Sequence, residues 1–384
     1  MSTLKVDAIR HNSATSDAIT TASDGTCTAK LTSVGGGGLS HRNLVINGAM
    51  MVSQRGTSFS GTAQQYTLDR MQTNTVGNDE VAQTEQAAVT SGGAYTSGFR
   101  KCMKIINGNQ TSGAGAGDIV HLKMVLEAQD IANSGWNYTS SSSFITLSFW
   151  IKSSVAQDFP ITLRSEDGTR QVYNMTTGSL TADTWTKITK TIPGDSNLQF
   201  DDDVNAGLTL FVNAFVGTDY TTGSLAQNAW SAWSGTKQGD NMTSTWYTTN
   251  NATLEITGIQ LEVGDTATSF EHRSYTEELR RCSRYCQIWA RGYCIGNAVG
   301  SNDINIGVPL TTPLRDTPSC NGLQMHRSGN QSTTASFHSA QYTTNSIVVE
   351  IRMGGWTGGA AVSDEVAYAV TPTNSETMKI SAEL

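Results

Sequence analysis

The sequence predicts an all-β protein: a jelly-roll β-sandwich with an extended N-terminal arm, one short helix and a smaller C-terminal β domain. Three observations lead there. In residues 144–152, Ile145, Leu147, Phe149 and Ile151 alternate with Phe144, Thr146, Ser148, Trp150 and Lys152, the period of a strand with one face in a core. Similar runs recur along the chain, separated by turn signals such as Asn107-Gly108, Asp167-Gly168, Thr177-Gly178 and Pro193-Gly-Asp195. Charged residues make up only 15% of a chain with 37 glycines and many hydroxyl side chains, which suits short strands and turns better than helices.

At 384 residues the chain can bury a core without metal or disulfide. Residues 1–40 read as an arm and a Gly-rich hinge. Leu4, Val6 and Ile9 carry the arm's substantial apolar surface; the rest is too polar to fold alone, so it is expected to be disordered or to order against other copies of the chain. Residues 41–273 read as the sandwich, with strands at 44–52, 101–106, 119–126, 144–151, 159–164, 171–175, 184–192, 208–216 and 252–262. A long polar loop at 220–250 holds Trp230, Trp233, Trp246 and Tyr247. Residues 274–291 form a connecting segment, with a helix expected over 275–290. Ser274 or Thr276 caps it, Glu277 and Glu278 favour the positive end of its dipole, and Tyr275, Leu279, Cys282, Cys286 and Trp289 make an apolar seam. Residues 292–384 read as the smaller β domain, with strands at 304–310, 346–353, 366–370 and 378–382.

The bulk properties narrow the function. A net charge of −8 argues against broad nucleic-acid or anionic-membrane binding. No apolar stretch reaches the ~20 residues of a membrane span, so no membrane insertion is expected. The opening residues lack the basic and apolar regions of a secretory signal, so synthesis in a cytoplasm is expected. Six cysteines at irregular spacing then read as buried thiols.

Three pieces together resemble the tail-fibre family of tailed bacteriophages, especially the marine and cyanobacterial type. The first is Ser2-Thr-Leu-Lys-Val-Asp-Ala-Ile9 with Asp17-Ala-Ile-Thr20 and Ala22-Ser-Asp-Gly25. The second is Asn43-Leu-Val-Ile-Asn-Gly-Ala-Met50 with Gln54-Arg55-Gly56, Tyr66-Thr-Leu-Asp-Arg70 and Leu147-Ser-Phe-Trp-Ile-Lys-Ser-Ser154. The third is Gln260-Leu-Glu-Val-Gly-Asp-Thr-Ala-Thr-Ser-Phe-Glu271 followed by Cys282-Ser-Arg-Tyr285. Cys286 departs from the aromatic residue usual in relatives. The resemblance implies a homotrimeric virion protein, attached by its N-terminal arm (Leu4, Val6, Ile9) to tail, adaptor or nozzle proteins. It further implies a carbohydrate-binding-like jelly roll directed at host surface polysaccharide. The location implied is the phage tail, assembled in the host bacterial cytoplasm.

Candidate chemistry is sparse. Trp230, Trp233, Trp246 and Tyr247 either stack on sugar rings or pin their own loop to the sandwich. Asp201, Asp202 and Asp203, joined by Glu262 or Asp265, either ligate a structural Ca2+ or form a solvated turn; no other cofactor is expected. Arg280, Arg281 and Arg284 either contact an anion or pair with Glu277 and Glu278. No nucleophile or phosphate-loop motif occurs, and the expected protein is not an enzyme. A polysaccharide depolymerase, built on two carboxylates the sequence does not reveal, and a capsid-decorating head fibre are the alternatives.

Overall fold

The structure, a computed structural model, describes residues 6–10, 12–13, 15–24, 27–29, 41–60, 64–223, 225–240, 242–289, 293–299, 303–321, 324–327, 331–334, 336–341, 346–354, 366–370 and 378–384. The larger core lies between two antiparallel sheets, and the fold is the expected jelly-roll sandwich. The six-stranded sheet has the order Thr186–Pro193, Phe144–Ser153, Thr253–Val263, Lys101–Ile106, Gln83–Ala88, Ser58–Phe59. The seven-stranded sheet has the order Trp230–Ala232, Gln171–Thr176, Pro160–Ser165, Ala206–Val216, Ile119–Glu127, Gln72–Val76, Gln64–Tyr66. Ile145, Leu147, Phe149 and Ile151 are buried in one sheet, facing Leu122, Leu163, Leu210 and Val212 of the other. Each such side chain contributes about 1.5–3 kcal/mol by leaving water.

Eight of the nine segments read as sandwich strands form strands. The ninth, 44–52, does not. Asn47 and Met50 adopt φ of 61° and 55° there. The Asn47 amide donates to the carbonyls of Val52 (2.8 Å) and Asp69 (2.9 Å), while its oxygen accepts from the Val52 N–H (2.9 Å). These side-chain bonds replace a ladder. The segment becomes an irregular plug whose Val45, Met50 and Val52 are fully buried.

The arm also differs from expectation. Ala8–Ile9, Ile19–Thr21 and Cys27–Ala29 pair as a small antiparallel sheet within one chain. Val6 and Ile9 nevertheless stay 40% and 52% exposed, and Leu4 lies outside the described residues.

The expected helix over 275–290 is corrected to Tyr275–Cys282. Ser274 caps it by accepting from the Glu277 N–H, as expected. Beyond it, Cys286–Trp289 is a strand paired with Met378–Ser381, so Cys286 and Trp289 belong to no helical seam, and Tyr275 is exposed. The edge of Met378–Ser381 offers this segment a ladder, which outweighs its weak helical pattern.

A second core gathers Ile306, Val308, Leu314, Val349, Ile351 and Ile380. Around it lie the three-stranded sheet Cys286–Trp289, Met378–Ser381, Ser319–Asn321 and a seven-stranded sheet that includes Asp303–Pro309 and Val348–Gly354. Ionic contacts tie this part to the sandwich. Glu383 pairs with Arg55 at 2.8 Å and with Arg70, and Arg284 pairs with Glu127 at 2.9 Å. Cys102, Cys282, Cys286 and Cys320 are free, buried thiols. Among the described residues no helix is long and apolar enough to cross a membrane.

Candidate functional site

Strand alternation gives the seven-stranded sheet two unlike faces. Even positions of Ile119–Glu127 and of 208–214 point into the core. Odd positions therefore face outward, away from the six-stranded sheet. Antiparallel register then sets these outward residues in rows. One row runs Tyr66, Gln72, Lys123, Phe211, Thr162, Asn174 across the strands. The row beside it runs Gln64, Asn74, His121, Asn213. On the other flank lie Thr209, Arg164, Val172 and Ser231. Such neighbours sit ≈4.5–5.5 Å apart, close enough to act on one ligand.

This outer face is polar yet largely shielded. Gln72, Asn74, His121, Thr162, Asn174, Thr209 and Asn213 are all buried. Five polar atoms on it have no hydrogen-bond partner among the described residues: Gln72 Oε1, Asn74 Oδ1, Asn174 Nδ2, Asn213 Nδ2 and Ser231 Oγ. A buried unsatisfied group costs roughly 1–3 kcal/mol, so five on one sheet face are uncommon. All five atoms are closed off from solvent, so they are a cost of the fold and are not presented to a ligand at the surface.

Aromatic and cationic side chains border these amides. A shallow dent of about 10 Å³, room for one water, is lined by His121, Thr162, Arg164, Phe211, Trp233, Lys237 and Gln238. Its floor is Phe211, against which the His121 ring packs edge-on at 5.0 Å. The Arg164 guanidinium lies 5.1 Å from the Phe211 ring and 5.2 Å from Trp233. The loop is anchored over the sheet because Thr162 Oγ1 donates to the Gln238 carbonyl at 3.1 Å and the Trp233 N–H donates to the Arg170 carbonyl at 2.9 Å. Burial first, then the charges of Lys123 and Arg164, push His121 down to about 3, so the ring is neutral at ordinary pH. The arrangement brings aromatic rings, two cationic side chains and the Gln238 amide to one shallow surface.

The four aromatics singled out in the 220–250 loop do not converge. Trp246 and Tyr247 are fully buried. Trp246 Nε1 donates to the Thr253 carbonyl at 3.0 Å, and Tyr247 stacks on Phe215 at 4.2 Å while its hydroxyl donates to Asp118 at 3.0 Å. Neither ring can meet a sugar, which removes both from the candidate site; they pin the loop, the alternative reading. Trp230 is half-buried against the core, with its Nε1 donating to the Pro193 carbonyl at 2.7 Å. Trp233 alone of the four borders the outward depression.

The acidic run also disperses. Asp201 Oδ1 accepts from Gln199, Asp202 Oδ1 from Asn133 and Asp203 from Asn205, three separate partners. Glu262 is engaged instead by Arg42 and Thr268. Among the described residues no three His, Cys, Asp or Glu side chains converge as metal ligands. Of the arginines, Arg281 pairs with Glu277 at 3.0 Å, the expected helical spacing, while Arg284 reaches across to Glu127.

His121, Lys123, Phe211 and Asn213 were not singled out from the sequence. Their signal is present in part: within 119–126 and 208–214 the odd positions include His, Lys, Thr, Phe and Asn, beside Ile119 and Val125, among even apolar ones. What the sequence withholds is which strands lie side by side.

No protein-family model matches the chain, and no curated protein matches it. Among solved structures, the enzymatically active domain of bacteriophage CBA120 tailspike protein 4 is similar at 10% identity with a TM-score of 0.30, over 58% of this chain and 21% of that one. A putative sugar-binding protein from Bacteroides thetaiotaomicron is similar at 12% identity with a TM-score of 0.30, over 58% of this chain and 100% of that one. The family 11 carbohydrate-binding module of Clostridium thermocellum is similar at 14% identity with a TM-score of 0.24, over 56% and 98%. This chain thus spans about a fifth of the tailspike's length.

Proposed function

We propose that the protein is a non-enzymatic glycan-binding component of a phage tail fibre, and that the outer face of the seven-stranded sheet is its binding surface. One observation carries this reading: Phe211, Trp233, Arg164, Lys237 and the Gln238 amide line one shallow depression on that face. Sugars present apolar ring faces and hydroxyl edges together. A surface that pairs aromatic rings with amides of fixed direction matches both. No carboxylate lines the depression among the described residues. Glu166, beside it, is held by Arg164 at 2.8 Å, Arg170 at 3.1 Å and Thr209 at 2.6 Å, which supports binding without hydrolysis.

The tail-fibre part of the reading rests on the sequence resemblance and on the arm, whose Val6 and Ile9 are exposed on the single chain. In this reading the arm docks to the virion and the sandwich meets the cell as part of a homotrimer. A shallow face binds weakly by itself, and several copies on one particle raise avidity by orders of magnitude without new contacts.

Titration of bacterial surface polysaccharides into the purified protein, monitored by calorimetry, tests the reading. Trp233→Ala is expected to weaken binding about tenfold or more, with the melting temperature measured alongside so that a loss of fold is told apart from a loss of contact. Unchanged affinity would remove this face from the proposal. Sustained release of reducing ends from the same polymers would defeat the non-enzymatic reading.

A further inference from the structure

We infer that residues 234–240 form a lid over the outer face of the seven-stranded sheet, and that a ligand of this face is admitted when the lid lifts. The inference rests on the reading of the face as a glycan site and adds how that site is regulated. It starts from what the segment covers. Asn213 and Asn174 are 1% and 0% exposed, and each has an amide nitrogen without a partner among the described residues. Gly239 lies against the first: a Cβ added to it would stand 3.5 Å from Asn213 Nδ2. Gln238 lies beside the second, since Thr162 Oγ1 is 3.1 Å from the Gln238 carbonyl and 3.2 Å from Asn174 Oδ1. Closing over these amides costs desolvation that no bond returns, and lifting the segment restores them to water.

Nothing apolar in the segment offsets that cost. Its sequence is Ser-Gly-Thr-Lys-Gln-Gly-Asp, with no hydrophobic side chain to bury. Its hydrogen bond to the sheet through Thr162 is also replaceable. The Thr162 hydroxyl has one proton for two acceptors, so when Gln238 leaves, the whole bond passes to Asn174 Oδ1. The segment holds its own shape: the Lys237 N–H donates to the Ser234 carbonyl at 2.9 Å, and Gln238 Nε2 donates to the Gly235 carbonyl at 3.2 Å. The Gln238 N–H and the Thr236 carbonyl bond to Tyr220 and Gly223 of the adjoining loop, at 2.9 and 3.0 Å, and not to the sheet. The near end is fixed. The Trp233 N–H donates to the Arg170 carbonyl at 2.9 Å, and Arg164 and Arg170 lie 5.2 and 5.6 Å from its ring. Trp233 therefore stays on the sheet, and the hinge begins after it. A polar flap pinned at one end and closed on unsatisfied amides belongs to the parts of a fold that open first. Lifted, it sets the Asn174 and Asn213 amides beside Phe211 and Trp233, where sugar hydroxyls reach them.

Val216→Cys together with Gly239→Cys supplies a lock. A Cβ on Gly239 would lie 3.8 Å from Val216 Cβ, the usual spacing across a disulfide, and Gly239 has no positive φ to oppose a side chain. The full-length double variant, oxidised with glutathione disulfide or reduced with dithiothreitol, is titrated with the bacterial surface polysaccharides by calorimetry. The oxidised form is expected to lose about tenfold or more in affinity and to regain it on reduction. Equal affinity of the two forms overturns the inference. A second measurement needs no glycan. Asn213→Cys is expected to react with a thiol reagent at a rate that stays flat in mild urea, because lifting a short flap exposes little surface. A rate that climbs with urea in step with that of buried Cys102 means that position 213 opens only by global unfolding, and it also overturns the inference. If Asn213→Cys does not fold, hydrogen exchange at the Lys237 and Gln238 amides of the double variant takes its place, slower in the oxidised form if the lid lifts and unchanged if it does not. If the wild type binds no polysaccharide, the glycan reading falls, and labelling or exchange alone decides the lid.

Discussion

Glu127 has a side chain with no solvent exposure and accepts four hydrogen bonds. Arg284 supplies two at 2.9 Å, Tyr285 one from its hydroxyl and Gln129 one at 2.6 Å. Burial pushes this carboxyl up, but the bonds and charge from Arg284, with the Tyr285 hydroxyl, outweigh it and hold Glu127 below the ordinary carboxylate range. A carboxyl with a depressed native pKa adds stability that is complete above its unfolded value and is lost as pH falls through the native one. Arg284 keeps 31% of its side chain exposed, so solvent screens part of the pair. Glu127→Gln is therefore expected to lower unfolding stability by about 2 kcal/mol at neutral pH. The gap to wild type should close in acid below about pH 4. Denaturant unfolding across pH checks it; a constant gap would mean the loss is one of packing. At this same scale the sequence was a poor guide to the site. Trp233, Trp246 and Tyr247 look alike as loop aromatics, and only packing separates the ring at the surface from the two in the core.

The strand Thr253–Val263 carries a bulge whose cause is visible. Ser148 pairs with Gln260 and Trp150 with Thr257, so Gly258 and Ile259 together oppose Phe149. Gly258 has φ +67°, and a Cβ there would lie 2.5 Å from the Phe99 ring. The displaced Ile259 meets the plug instead: its N–H donates to the Gly48 carbonyl at 3.0 Å, and its carbonyl accepts from Asn43 at 3.1 Å. Gly258→Ala is expected to destabilise by roughly 2–4 kcal/mol, combining backbone strain with overpacking. A melting temperature within a degree of wild type would refute that account. Elements with strict aliphatic alternation, such as Phe144–Ser153 and Ala206–Val216, were legible in the sequence because burial on one face writes itself into every second residue. Gln72–Val76 and Gln83–Ala88 were not, since their residues are mostly Gln, Thr, Glu and Ala and they owe their strand state to neighbours already in place. The plug was misread for the converse reason: its apolar residues are buried, but asparagine side chains decide its backbone.

Across the whole molecule, two hydrophobic cores are joined by charge. Glu383 engages Arg55 and Arg70, and Arg315 donates to the Val204 and Ala382 carbonyls at 2.8 and 2.9 Å. Among the described residues of the arm, the Ala18 N–H donates to the Ile9 carbonyl at 2.9 Å and Thr21 Oγ1 to the Val6 carbonyl at 2.8 Å. Removing residues 1–34 is expected to leave the melting temperature unchanged and to abolish incorporation into particles, scored by complementing a phage that lacks the intact protein. Incorporation at the wild-type level would end the attachment reading. The all-β sandwich was readable in advance, whereas the outward rows were not, because adjacency between distant strands is a property of the folded register alone.

The shallowness of the depression beside Phe211 has one more consequence. In the proposed role, a ligand held by a face with little to enclose it leaves quickly, so that grip and letting go would alternate on short timescales. A particle holding on through many such faces would stay tethered while each hold is exchanged for the next, and so could travel along a polymer without leaving it.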